Sequence, residues 1–290
     1  MSFEEGRQQS LLAEFITISV IGLALNTVFL IGLVGLLGWR SNYAMTLLAF
    51  NSIMNVIFYI FQLIGNFLIL TDVEQLGNRT FVRVLGSLMI LPSLPSPVTS
   101  VLLNLHLCLI VAFPELPMKP GFVHTSKVTF SLLIVSTLFV FVIFCTPLVG
   151  AQLEYLSLQV TLITGLRWTT AFLSTLNFVQ SLSAYFNFVT YAFLLLLLLI
   201  KKKLKKGRMI AQMLSMSVIH VIQWILLNYA LELGNSNYSI IVRNRFNLGG
   251  GIVETIPYLL INKTIQANLR NLVWSQKKKN ETTVFWKRSS

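Results

Sequence analysis

The chain has 290 residues, of which 55% are hydrophobic and 11% charged, and it carries a formal net charge of +12. With a mean hydropathy of +0.74, it has too few polar residues to cover a water-soluble fold, so we expect a membrane protein. The positive charge does not require a nucleic-acid partner, because a basic rim facing anionic lipid accounts for it.

Seven segments are long and apolar enough to cross a bilayer, which takes about 20 residues of helix. Helix is expected throughout because lipid offers the backbone no hydrogen-bond partners. The predicted spans are 14–37, 44–70, 84–112, 128–151, 170–200, 209–233 and 247–261. We therefore predict an all-α fold, with one integral membrane seven-transmembrane helix bundle over residues 1–275 and a cytoplasmic tail at 276–290.

Side-chain amides recur along the spans, beginning with the first two. Each interhelical hydrogen bond from such an amide contributes about 0.6–2 kcal/mol in a membrane. The amides are Asn26, Asn51, Asn55, Asn66, Asn104, Asn187 and Asn228. We expect a structural network whose bonds could also exchange between two packings of the bundle.

The third predicted span contains Pro92, Pro95 and Pro97 among several hydroxyl residues. Proline removes a backbone donor and kinks a helix, and the freed carbonyls are tolerated only inside protein or beside a water-filled cavity. This pattern predicts a broken, hydrated outer half of the third span. It indicates either a ligand cavity or a passive kink.

A run of six basic residues joins the fifth and sixth spans. It consists of Lys201, Lys202, Lys203, Lys205, Lys206 and Arg208. The run indicates a lipid-facing cluster that stops translocation, or a docking surface for a signalling partner.

The third, sixth and seventh spans contain ionisable residues, which are costly in hydrocarbon. His106 and His220 stand alone without a second metal ligand one turn away, and we interpret them as core histidines, so no metal site is expected. Glu254 lies three residues before Pro257 and should point into the bundle. It either contacts a ligand or makes a structural bond to a neighbouring helix.

Residues 262–274, after the seventh span, have the pattern of a short amphipathic helix along the inner leaflet, or of a frayed end of that span. Under alternating topology, sixteen Lys and Arg fall on the C-terminal side and six on the N-terminal side. The positive-inside rule then predicts an extracellular N-terminus and a cytoplasmic C-terminus. Asn78 and Asn237 are the sequons that would face outside and are candidate glycosylation sites.

Phosphate-binding, dinucleotide-binding, zinc-protease and serine-hydrolase motifs are absent from the sequence, so we expect neither an enzyme nor a cofactor. Seven spans with short loops and a helix after the last one resemble G-protein-coupled receptors. Asn26 and Asn51 stand near the polar positions of that family's first two spans. Pro257 to Lys263 resembles a degenerate form of its NPxxY element.

Phe113-Pro114 after the third span and the stretch from Pro257 to Ile265 are similar to nematode serpentine chemoreceptors, most of all the Srt and Srx groups. The Arg of the third-helix element is replaced by Leu107, which departs from the family pattern.

The resemblance implies a chemosensory receptor of the plasma or ciliary membrane that detects a small extracellular molecule and signals to a heterotrimeric G protein. Candidate ligand-binding residues are Ser96, Thr99, Ser100, Asn187, Trp224 and Glu254. The candidate switch network is Asn26, Asn51, Asn55, Asn104, His106 and Pro257. The basic run 201–208 would face the G protein. The alternatives are a seven-helix ligand-gated channel subunit of the odorant-receptor type with inverted topology, and a small-molecule transporter.

Overall fold

The computed structural model describes residues 3–36, 42–71, 79–91, 95–116, 119–146, 151–154, 159–162, 168–200, 218, 219, 222, 225 and 237–272. The helices in chain order are α1 Phe3–Val34, α2 Tyr43–Leu70, α3 Arg79–Ile90, α4 Pro95–Ala112, α5 Pro120–Cys145, α6 Thr169–Ile200, α7 Asn237–Ile261 and α8 at 263–272. Two short strands, β1 Ala151–Glu154 and β2 Gln159–Leu162, pair antiparallel between α5 and α6.

The described helices include five that are long and apolar enough to cross a membrane. These stretches are Gln9–Val34, Tyr43–Leu70, Pro95–Ala112, Pro120–Cys145 and Phe178–Leu197. Their outer faces carry large apolar side chains, and on α5 Leu132 and Phe139 are 63% and 65% exposed. Such a surface requires lipid around it, so this is a membrane-embedded protein.

The third predicted span, 84–112, is two helices rather than one. α3 ends at Ile90 and α4 begins at Pro95, so the chain breaks at the prolines, as the sequence predicted. α3 is a 12-residue helix and its apolar stretch Thr80–Met89 is too short to cross a bilayer by itself. It packs instead against α2, α5 and β1.

Both predicted bounds of the fourth span, 128–151, lie further along the chain than the observed ends of α5. α5 starts at Pro120, where a proline in the first turn costs no hydrogen bond, and it ends at Cys145. Residue 151 belongs to β1, which the all-α prediction did not include.

The four described residues of the predicted sixth span, 218, 219, 222 and 225, are helical, and the rest of 209–233 lies outside the described residues.

Asparagine side chains start two of the helices. Asn42 caps α2, since its side chain accepts from the backbone N–H groups of Ala44 and Met45. Asn262 does the same for α8, accepting from Thr264 and Ile265 at 3.1 and 3.3 Å. These bonds satisfy backbone donors that a helix leaves open at its beginning.

α8 packs against the end of α1. Asn268 Nδ2 donates to the carbonyl of Gly32 at 2.8 Å. A Cβ on Gly32 would lie 2.9 Å from Leu269 Cγ, so this close approach requires glycine. We call the end of the bundle where α1 begins the first end, and the end where α1 meets α8 the second end.

Among the described residues, the two larger apolar clusters have polar residues between them, and a third, small cluster consists of Cys108 and Leu194. The cluster nearer the first end comprises Leu12, Phe15, Tyr59, Ile69, Val82, Leu85, Met89 and Leu248. The cluster nearer the second end comprises Phe29, Leu33, Leu47, Ala49, Phe50, Leu103, Leu133, Tyr258 and Ile265. Between the two clusters, the buried residues of α1 and α2 are polar or glycine, and those of α7 are Thr255 and Pro257. The polar ones belong to the layer described next.

Candidate functional site: a polar layer between the helices

Asn26 is the centre of the polar layer and is fully buried. Its Nδ2 donates within α1 to the Gly22 carbonyl at 2.9 Å and across to the Gly251 carbonyl of α7 at 3.3 Å. Its Oδ1 accepts from Asn55 Nδ2 of α2 at 3.2 Å and from Thr255 Oγ1 of α7 at 3.0 Å. One amide therefore joins three helices.

Glu254 connects α7 to α2 on the neighbouring side of the layer. Asn51 Nδ2 donates to Glu254 Oε2 at 3.2 Å, and both side chains are half-buried. Ser52, the next residue of α2, donates from Oγ to the backbone carbonyl of Asn26 at 3.0 Å. A carboxylate at this depth is costly in hydrocarbon, and the amide of Asn51 offsets part of that cost.

A second polar cluster joins α4 to α6. Asn104 Nδ2 donates to Asn187 Oδ1 at 2.6 Å, and Asn187 Nδ2 donates to Ser100 Oγ at 3.1 Å. One turn further along, Cys108 Sγ lies 3.6 Å from the Thr190 carbonyl, which it approaches as a weak donor. Residue numbers increase in the same direction along the two helices, from the pair 104 and 187 to the pair 108 and 190, so α4 and α6 run parallel. Both helices end at the second end of the bundle.

A small cavity lies where α1, α2, α4 and α7 meet. Its volume is about 30 Å³. Its lining residues are Asn26, Phe29, Leu48, Asn51, Ser52, Asn55, Ser96, Thr99, Ser100, Leu103, Glu254, Thr255 and Tyr258. Two buried atoms in this lining, Asn51 Oδ1 and Thr99 Oγ1, make no hydrogen bond to the described part of the chain.

That volume sets what the cavity can accept. One water needs about 10–15 Å³ measured in this way and two to four polar partners, so one or two waters fit. Pockets for organic ligands are about 300–1,000 Å³. The cavity between these four helices is therefore large enough for water and too small to be the binding pocket of an odorant-sized molecule.

The two predicted groups of site residues are not separate in space. Of the residues predicted to bind ligand, Ser96, Thr99, Ser100 and Glu254 line the same cavity as Asn26, Asn51 and Asn55, which were predicted to form the switch network. Asn187 bonds Asn104 in the adjacent α4–α6 cluster. Pro257 is buried inside α7. These members of both groups therefore lie together in one part of the bundle.

His106 lies apart from this part of the bundle, nearer the second end. Its ring stacks on Phe122 of α5 at 5.5 Å and meets the edge of Tyr43 of α2 at 5.1 Å. It is a buried core histidine, as the sequence predicted, but its Nδ1 makes no hydrogen bond to the described part of the chain. The prediction that it belongs to the switch network around Asn26 is wrong, because its ring contacts are aromatic. Within the described ranges, no group of three His, Cys, Asp or Glu side chains could hold a metal ion.

Several predicted site residues cannot be placed. Trp224, the basic run 201–208 and the sequon at Asn78 lie outside the described residues. Asn237 is the first residue of α7, and its side chain is not described.

The sequence prediction missed two residues of the layer, Ser52 and Thr255, and also Tyr59 in the adjoining apolar cluster. A usable signal existed on α2, where hydrogen-bonding side chains recur every three or four residues and so share one face. They are Ser52, Asn55, Tyr59, Gln62 and Asn66, all buried. Gln62 Nε2 extends the pattern by donating to Asn66 Oδ1 at 3.4 Å. A polar face along a whole membrane helix has to be turned inward.

No known family model and no curated protein matches this chain. Its function must therefore be inferred from the arrangement of its own residues.

Proposed function

We propose that the chain is a seven-helix chemosensory receptor whose polar layer changes its bonding when a small extracellular molecule binds, and which signals to a heterotrimeric G protein. The observation that carries the proposal is the layer itself. Its exchangeable side-chain bonds join α1, α2 and α7 around a water-sized cavity that α4 completes. Such bonds cost little to break and remake in a membrane, which suits a two-state element.

The seven-helix count is part of the proposal. It takes α3 and α4 together as one broken span and places the sixth span within 209–233. α7 then crosses as the seventh span, with Leu248–Ile261 as its apolar portion. The short β-hairpin and α3 would lie with the N-terminus at the extracellular, first end.

The ligand would bind away from the cavity, because about 30 Å³ does not admit an organic molecule. We place it toward the first end, beside α4, α6 and α7, where the predicted sixth span would complete a pocket. Ser96, Thr99, Ser100 and Glu254 then relay the binding event. Asn104 and Asn187 couple α6 to that relay.

The second end is where a G protein would dock. α6 ends there at Ile200, immediately before the basic run 201–208, and α8 also lies there with Lys263 and Arg270 exposed. Basic residues gathered at one end favour a cytoplasmic location for that end. They also give an acidic surface on a partner a charged site to approach.

The first experiment is topology. Epitope tags at both termini, scored in intact and permeabilised cells, should show the N-terminus outside and the C-terminus inside. The reverse orientation would favour the odorant-type channel, and two termini on one side would exclude a seven-span chain.

The second experiment measures ligand-independent nucleotide exchange on co-expressed G proteins. Glu254→Gln removes the charge at the α2–α7 bond and should change basal exchange several-fold, since it shifts the balance between the two packings. The matched control is Thr17→Val, because Thr17 is exposed and, within the described part of the chain, its hydroxyl bonds only the Ala13 carbonyl of its own helix. If neither wild type nor Glu254→Gln activates any G-protein class above a no-receptor control, G-protein coupling is refuted.

A further inference from the structure

α7 contains three consecutive glycines, Gly249 to Gly251, near its middle. Glycine weakens a helix relative to alanine because its backbone loses more freedom on folding. Packing explains the last of the three. A Cβ on Gly251 would lie 2.9 Å from Tyr59 Oη and 3.1 Å from Asn55 Cγ.

Packing does not explain Gly249. A Cβ at that position would meet nothing within 4 Å among the described residues. Its backbone is helical, so it has no need of a conformation reserved for glycine. Among the described residues neither space nor backbone geometry requires this glycine, so its physical effect there is local weakness of the helix.

Tyr59 of α2 holds α7 just before these glycines. The side chain is fully buried, and its Oη donates to the Leu248 carbonyl at 2.6 Å. Its ring is fixed from the other side by α1, where a Cβ on Gly22 would lie 2.3 Å from Tyr59 Cζ. The tyrosine therefore has little freedom to follow α7 if α7 moves.

The far side of the glycine run is held differently. The Gly251 carbonyl accepts from Asn26 Nδ2 of α1 at 3.3 Å and from Thr255 Oγ1 at 2.7 Å. Near the first end, Arg245 makes a two-pronged ion pair with Glu14 of α1, with both N···O distances 2.7 Å. Leu248 and Arg245 thus anchor the segment before the glycines, and Asn26 anchors the run at its last glycine, Gly251.

We propose that Gly249 to Gly251 form a hinge in α7 and that the Tyr59 hydroxyl is the latch that keeps the hinge closed. Loss of the bond to Leu248 would let the segment before the glycines pivot relative to the segment that carries Glu254. This inference goes beyond the proposed receptor function, because it rests on the geometry of α7 whatever stimulus opens the latch.

Hydrogen–deuterium exchange on the purified full-length protein in detergent micelles tests the hinge directly. The amides of residues 252–255 pair with the carbonyls of residues 248–251 in the helix, so their exchange reports opening across the glycines. Tyr59→Phe keeps the ring and removes the latch, and should speed exchange of these four amides roughly five-fold. Gly249→Ala should slow it by about three- to five-fold.

Tyr43→Phe is the matched control, because Tyr43 lies in the same helix and its buried hydroxyl has no hydrogen-bond partner among the described residues. It should leave exchange at 252–255 unchanged. The amides of residues 130–140 in α5 serve as the internal reference. Faster exchange in Tyr59→Phe that is confined to α7 supports the latch.

Equal acceleration in α5 and α7, or no change in either, overturns the latch. Unchanged exchange in Gly249→Ala overturns the hinge, and this variant decides the question even if Tyr59→Phe does not fold. G-protein signalling plays no part in the measurement, so its outcome is independent of the receptor proposal.

Discussion

Replacing Asn26 with leucine tests whether the polar layer holds the bundle together. The substitution removes an amide of similar size and with it three interhelical bonds, at 3.0, 3.2 and 3.3 Å. It also leaves Asn55 Nδ2 without its acceptor. Loss of the Asn26 amide costs the Gly22 and Gly251 carbonyls less than it costs Asn55 Nδ2, because backbone carbonyls inside a helix already accept a helical hydrogen bond.

The magnitude follows from these losses. Interhelical side-chain bonds in a membrane average about 0.6 kcal/mol each, so three contribute about 2 kcal/mol. A buried amide donor left without an acceptor adds about 1–2 kcal/mol. Asn26→Leu should therefore lower the free energy of unfolding by about 3–4 kcal/mol.

The assay is reversible unfolding in mixed detergent micelles, followed by circular dichroism. Thr17→Val is the control, since it removes one hydroxyl bond within α1 on the lipid-facing side and should cost less than about 0.5 kcal/mol. Asn55→Leu in the Asn26→Leu background should cost much less than in wild type, because the two amides share a bond. If Asn26→Leu is as mild as the control, or the two substitutions are additive, the reasoning about the layer is refuted.

Three further substitutions test other contacts by the same unfolding assay. Gly22→Ala places a methyl group 2.3 Å from the ring of Tyr59 and should cost about 2 kcal/mol or more. Its control, Gly121→Ala, adds a Cβ that meets nothing within 4 Å among the described residues, so it should be neutral or slightly stabilising. Equal effects of the two substitutions would contradict the close packing of α1 on α2. Asn187→Leu removes two bonds to α4 and should cost about 1–2 kcal/mol, and a neutral result would mean that the α4–α6 cluster does not hold these helices together. Arg245→Gln breaks an ion pair whose arginine side chain is 45% exposed, so it should cost less than about 1 kcal/mol and the cost should shrink in high salt; a larger, salt-independent loss would show that the pair is desolvated.

The amino-acid sequence determined the class of protein, because the free energy of placing a residue in hydrocarbon depends mainly on that residue and little on its distant neighbours. Long apolar runs have to be helices in lipid, and α2 begins and ends within one residue of its predicted bounds. The prolines from Pro92 to Pro97 predicted the break between α3 and α4, since proline acts on the helix that contains it. The amides predicted a network, since an unsatisfied amide is costly at any position in a span.

The sequence did not determine which amides meet. Asn26 bonds to Asn55 and Asn187 to Asn104, while Asn66 belongs to neither cluster. Which amides meet depends on how each helix is rotated, and the sequence does not always indicate that rotation. In α5, for example, the inward and outward faces are both apolar, so the hydrophobic pattern does not show which face turns inward. On α2 a buried polar face indicates which side turns inward, but the apolar faces of α5 give no such signal.

Tertiary structure alone distinguished glycines that look identical in the sequence. Gly22 and Gly251 are required by the ring and hydroxyl of Tyr59, while a Cβ on Gly249 would meet nothing within 4 Å among the described residues. It also showed that the volume of the cavity beside Glu254 is about 30 Å³, which is too small for the ligand that the sequence predicted there. The rotation and crossing of helices fix close approaches and volumes of this kind, because they depend on pairs of residues far apart in the chain.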